Sequence, residues 1–254
     1  MGKVGIALGG GGMRGFAHLG VMKALAERGL TFDAFAGTSA GAIVAALSAA
    51  EVEPDEIMDI MKDIKISNAA RIMLPKDGFA SLDNLRKRLD EILDQKDFSD
   101  LPHPLFLAVA NLNTGSVEYI KSGNVALAVQ ASSSIPMLFT PVEMDGHMYV
   151  DGGLLDNVPV TPLLDSCEKI VAVDIMPVEP LDEVHGLIEI AFRTFQMSVS
   201  MQDEERGNPD LLIRVEGLEE YHILDSNQNE KIYDIGYEYA KNLDIPDLKK
   251  LGGS

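Results

Sequence analysis

The chain is short of cysteine, short of positive charge, and lacks an apolar run long enough to cross a bilayer. Each shortage excludes something. Cys167 is the only cysteine among 254 residues, so no intrachain disulfide can form and a cytoplasmic home is the expectation. The 21 Lys and Arg against 40 Asp and Glu leave a net charge of −19. Such a chain repels phosphate backbones, which argues against nucleic acid as a partner and against tight docking on anionic lipid. Its basic residues between Lys62 and Arg88 are interleaved with acids and read as solvated helix faces. The Ala-rich run Ala42 to Ala50 is too short for a membrane span. The N-terminus meets a glycine cluster after a few residues and reads as a first strand, not a signal peptide.

What is present is material for one sizeable core. With 46% hydrophobic residues, residues 1–251 are expected to form a single domain, with Gly252-Gly253-Ser254 as a flexible tail. Strand-like runs lie at Val4 to Leu8, Phe32 to Ala36, Leu105 to Leu112, Ser116 to Ile120, Tyr149 to Asp151, Lys169 to Ile175 and Leu211 to Val215. Helical patterns lie between them, at Arg14 to Arg28, Ala42 to Ala50, from Pro54, from Ser81 to about Leu93, Val125 to Ser132, Val184 to Met201 and Asn227 to Leu243. This alternation predicts an α/β fold with a mostly parallel central sheet and helices on both faces, a three-layer α/β/α arrangement. Ser67 to Gly78 has no period and is expected to be a packed loop, with a lid as the alternative.

Ser39 is the most informative residue. It sits in Gly37-Thr38-Ser39-Ala40-Gly41, a G-x-S-x-G pentad between a short strand and an Ala-rich helix. A sharp strand-to-helix turn pushes a serine hydroxyl out of the backbone and needs small flanking residues, which Gly37 and Gly41 supply. The helix N-terminus just beyond favours negative charge.

Gly9 to Gly15 supports two readings. Gly10, Gly12 and Gly15 satisfy G-x-G-x-x-G, the fingerprint of a dinucleotide phosphate loop. That site wants an acid at the end of the second strand, whereas Asp33 lies near its start. The other reading is an oxyanion hole, in which Gly10, Gly11 and Gly12 turn their N–H groups outward and Arg14 supports the loop or an anionic head group. A nucleophilic serine also needs a base. None of His18, His103, His147, His185 or His222 stands in a marked motif, and each reads as a surface or structural histidine. Asp151, followed by Gly152 and Gly153, could accept the serine proton if its environment tunes its pKa, or could belong to a plain turn.

Taken in order, Gly10 to Gly15, Gly37 to Gly41 and Asp151-Gly152-Gly153 resemble the patatin-like phospholipase family. Ala17 to Val21, Ala131 to Pro136, Phe139 to Val142 and Asp156 to Pro159 reinforce the likeness. The resemblance implies a Ser39–Asp151 dyad without histidine, an oxyanion hole at Gly10, Gly11 and Gly12 with Arg14 beside it, and hydrolysis of a lipid or other acyl ester through an acyl-serine. It implies no cofactor and no metal. Transient contact with a membrane surface is compatible with it, and oligomeric state is left open. The competing functions are a dinucleotide-binding protein using Gly10, Gly12 and Gly15, and a non-catalytic interaction module on a hydrolase fold. Met58, Met61, Met73, Met197 and Met201 are expected in the core, with an acyl pocket or partner surface as the alternative.

Overall fold

A computed structural model describes residues 2–63, 81–176, 186–200, 207–221 and 227–245. The expected loop at 67–78, the tail at 252–254, Met73, Met201, His185 and His222 lie outside these residues.

Eight strands form one sheet: β1 (Val4–Leu8), β2 (Ala34–Gly37), β3 (Leu105–Asn111), β4 (Ser116–Ile120), β5 (Val142–Met144), β6 (His147–Asp151), β7 (Lys169–Asp174) and β8 (Leu211–Arg214). The run β3-β2-β1-β7-β8 is parallel throughout. The chain steps outward from β1 to β3, then returns to the far side of β1 for β7 and β8. Strand order therefore reverses between β1 and β7. Seven helices are described: α1 (Phe16–Glu27), α2 (Ala40–Ala49), α3 (Pro54–Asp63), α4 (Asp83–Ile92), α5 (Val125–Ser132), α6 (Gly186–Ser200) and α7 (Asn229–Asn242).

One pairing detail positions the site. Along one edge of β3, β2 pairs with Leu105 to Leu107 and β6 with Val109 to Asn111, while β4 takes the other edge. β2 runs parallel to β3 and β6 antiparallel, so their carboxyl ends point at each other. They stop one residue apart, at the Gly37–Leu107 and Asp151–Val109 pairs. Asp151 and the turn carrying Ser39 are thus brought together head-on at Ala108.

The two sheet faces differ in side-chain size. Val4, Ile6, Leu8, Phe35, Leu105, Leu107, Val171 and Val173 share a core with α1, α2, α4 and α5. Each such side chain contributes about 1.5–3 kcal/mol when fully buried. The opposite face carries Ala7, Ala34, Ala36 and Ala172, packed by Val158, Val160 and Leu163 from the segment after β6. That segment contains the short 3-10 turns Gly152–Leu154 and Thr161–Leu163. Small side chains let its backbone approach closely: a Cβ on Gly152 would collide with the Ala108 carbonyl. On this side α6 is tied to the first turn by Ser198 Oγ, which donates to Leu154 O at 2.9 Å.

Candidate active site

Ser39 occupies the junction between β2 and α2 with φ 55° and ψ −120°. A side chain is strained there, and the surroundings must hold it. A Cβ at Gly37 would strike the Gly41 carbonyl, and one at Gly41 would strike that of Leu8. The pentad's glycines are therefore required by close packing of β1, β2 and α2. The Ser39 N–H donates to Ser132 Oγ at 3.0 Å, and its carbonyl accepts from Ala42 N at 2.9 Å to open the helix. The residue is 7% exposed.

Asp151 ends β6 and is fully buried. Its Oδ1 accepts from Gly153 N at 2.8 Å. Its Oδ2 meets no donor at hydrogen-bond geometry among the described residues. The Ser39 hydroxyl nevertheless acts on this carboxylate and favours its charged form. Burial dominates and pushes the Asp151 pKa up to about 7, opposed by the Ser39 hydroxyl and the Gly153 N–H.

The glycine loop is pinned from three sides. Gly9 N donates to Val173 O at 2.9 Å and Gly10 N to Asn157 O at 3.2 Å. The Asn157 amide returns a long bond to Gly10 O at 3.4 Å. His18 is completely buried in α1 and meets Gly9 O at 2.7 Å through Nε2. A carbonyl only accepts, so Nε2 carries the proton. Burial, only partly opposed by the Gly9 bond and the Asp174 charge, lowers the His18 pKa to about 4 and keeps it neutral. Gly10's N–H is therefore committed within the protein, while Gly11 and Gly12 show no backbone acceptor among the described residues. The guanidinium of Arg14 contacts the C-terminal part of the chain: Nε donates to Tyr221 O at 2.9 Å and Nη2 to Glu219 O at 3.3 Å.

These bonds also weigh against a dinucleotide. The crevice between β1 and β7, where a pyrophosphate would lie, is filled by Asn157 and Val158, which stand 3.4 Å and 3.0 Å from a Cβ built on Gly9. Asp33 is used at the other end of the strands, where Oδ2 accepts from Val4 N at 2.8 Å. His103 faces Glu51 and His147 faces Asn111. No described histidine bonds Ser39 or Asp151. Among the described residues no cluster of His, Cys, Asp and Glu could hold a metal ion.

Above Ser39 lies a cleft with about 570 Å³ of empty space, counting its solvent-open mouth. Met13, Phe16, Ile43, Met61, Leu82, Leu85, Ile135 and Phe139 line it, with Gly12, Ser39, Ala40 and Ser133 at its polar end. Met61 thus serves both core and cleft. Met58 is half-buried and Met197 is exposed. Sequence reasoning missed Ser132, Ser133 and the loop-anchoring roles of His18 and Asn157. The Ala-His-Leu-Gly-Val, Ser-Ile-Pro and Asp-Asn-Val-Pro segments hinted at them.

Fold and site define an α/β protein whose buried aspartate faces a serine on a strained strand-to-helix turn, beneath an apolar cleft. The chain belongs to the patatin-like phospholipase family, which it matches over residues 6–164. It is 29% identical to Lysophospholipase NTE1 of Saccharomyces cerevisiae over 94% of this chain and 16% of that protein. It is 35% identical to an uncharacterised NTE family protein of Mycobacterium bovis over 63% of this chain and 45% of that protein. The chain thus spans less than half the length of either relative. Among solved structures, VipD from Legionella pneumophila matches 94% of this chain and 66% of its own, with a TM-score of 0.57 at 19% identity, a likeness of fold.

Proposed function

We infer that the chain is a serine acyl-ester hydrolase acting on lipid esters, with Ser39 as nucleophile and Asp151 as its base. The observation that carries this is the strained Ser39 turn opposite a fully buried carboxyl whose pKa is raised to about 7. A base poised near neutral pH both holds its proton and releases it, as general catalysis requires. Asp151 takes the proton as Ser39 Oγ attacks the acyl carbonyl carbon. The C=O π electrons move onto oxygen, and the N–H groups of Gly11 and Gly12 receive that oxyanion. Each such donor is typically worth about 3–4 kcal/mol in the transition state. As the C–O bond of the ester breaks, Asp151 returns the proton to the leaving alcohol. Water then attacks the acyl-serine with Asp151 again as base, releasing the carboxylic acid and restoring Ser39. The apolar cleft receives the acyl chain, and the lysophospholipase names of the yeast relatives support a lipid ester.

Labelling with a fluorophosphonate, read by intact mass and peptide mapping, tests the assignment. A single adduct on Ser39, absent from Ser39→Ala and strongly slowed in Asp151→Asn, is expected. Turnover of a medium-chain ester should fall by on the order of 10⁴-fold or more in each variant. Full activity in Asp151→Asn would overturn the dyad.

A further inference from the structure

The run Ser132-Ser133-Ser134 closes α5 and touches both halves of the site. Ser132 is completely buried. Its Oγ accepts the Ser39 N–H at 3.0 Å and donates its own proton to Ala108 O at 2.7 Å. Ala108 is the residue of β3 at which the ends of β2 and β6 meet. Ser133 Oγ makes a long bond to the Ser39 carbonyl at 3.4 Å. The Ser134 carbonyl accepts the Asp151 N–H at 2.9 Å.

We propose that Ser132 is a positioning residue: its hydroxyl clamps the strained backbone of Ser39 to β3 and so fixes where the Ser39 hydroxyl stands relative to Asp151. A backbone at φ 55° and ψ −120° persists only where neighbours over-determine it, because a side chain there costs on the order of 1–3 kcal/mol. Gly37 and Gly41 permit that conformation by leaving room. They do not hold it, since they offer no bond to the Ser39 amide. Among the described residues only the Ser132 side chain bonds that amide, and no backbone group competes for it. A hydroxyl can accept from Ser39 and donate to Ala108 at once; an alanine can do neither, and a thiol does both weakly. Without the clamp, the Ser39 amide is left buried and unpaired, and the turn is free to relax toward a less strained conformation. Even a displacement of about 1 Å at a reacting centre costs on the order of 10²-fold in rate. Binding is spared, because the cleft walls come from Phe16, Ile43, Leu82, Leu85 and Phe139.

This inference rests on the hydrolase reading, so its test has one arm that measures activity and one that does not. Wild type, Ser132→Ala, Ser132→Cys and Asn124→Ala are compared. Asn124 caps the opposite end of α5, accepting from Leu127 N at 2.8 Å, and its loss destabilises that helix without touching Ser39. With a medium-chain p-nitrophenyl ester, kcat in both Ser132 variants should fall at least tenfold with KM nearly unchanged. Fluorophosphonate labelling of Ser39 should slow in parallel. Asn124→Ala should lower Tm and leave kcat within twofold of wild type. In the second arm, hydrogen exchange of the Ser39 amide should quicken at least tenfold in the Ser132 variants relative to amides of β1 and β7. Should Ser132→Ala not fold, Ser132→Cys carries both arms. Wild-type kcat together with wild-type protection of the Ser39 amide in the Ser132 variants overturns the clamp. An inert wild type that also resists fluorophosphonate overturns the hydrolase reading, and the exchange arm still decides the clamp.

Discussion

At the residue scale, the proposed base Asp151 sets function against stability. Its folded pKa is raised to about 7 by burial, while an unfolded aspartate titrates near 3.9. The neutral carboxyl favours folding at acid pH, and that advantage is lost as pH rises from about 4 to about 7. Above pH 7 the folded protein holds a buried charge answered by one N–H and the Ser39 hydroxyl. Asp151→Asn keeps an acceptor for Gly153 and removes the charge. It should be more stable than wild type by about 2–4 kcal/mol at pH 8, with the gap shrinking toward pH 5, while turnover disappears. Thermal melts at the two pH values check this, and a gap independent of pH would show that Asp151 does not titrate near neutrality. In wild type, kcat/KM should rise through about pH 7 and then level off. His18 acts with the opposite sign: its folded pKa near 4 contributes stability above about pH 6.5 that is lost as pH falls toward 4. Ser39→Gly should gain about 1 kcal/mol in urea unfolding by relieving the turn, and Ser39→Ala should not. The sequence displayed Ser39 through its pentad and Asp151 through its glycines. It did not display Ser132, because a bond between residues 93 apart leaves no periodic or compositional trace in a serine run.

At the element scale, what the sequence revealed was what has a period or an apolar run. β1, β3 and β7 were legible as buried strands, and the large–small alternation in Val4-Gly5-Ile6-Ala7-Leu8 already separates the two sheet faces. β5 has three residues, and the 3-10 turns at 152–154 and 161–163 have as few; pieces this short carry no pattern. The end-to-end meeting of β2 and β6 on β3 was not legible, since register between distant strands is set by packing. The contact between α1 and α7 is a similar case. A Cβ on Gly20 would enter the Tyr233 carbonyl, and one on Gly236 the Ala17 carbonyl, so the two helices cross with almost no side chain between them. Intrinsic propensity alone makes Gly236→Ala stabilising by about 1 kcal/mol. Overpacking against a backbone carbonyl costs about 1–3 kcal/mol, so the variant should be net destabilised in urea. A gain of about 1 kcal/mol would mean that the helices do not approach this closely.

At the scale of the whole molecule, the match to the phospholipase family ends at residue 164, yet the site depends on residues well beyond that point. β8 extends the sheet from β7, α7 covers α1, and Arg14 reaches from the glycine loop to the carbonyls of Glu219 and Tyr221. The net charge also belongs to this scale. No described helix is long and apolar enough to cross a membrane. A chain carrying −19 is repelled by an anionic surface over a Debye length of about 8 Å at physiological salt. Hydrolysis of a lipid ester presented in phosphatidylcholine vesicles should therefore exceed that in phosphatidylglycerol vesicles at low salt. Raising salt to about 0.5 M should narrow the gap by screening the repulsion, with little change on the neutral vesicles. If the anionic vesicles were preferred instead, and salt weakened that preference, a local basic patch would outweigh the net charge, and the approach to lipid would be steered by Lys and Arg rather than opposed by the acidic surface.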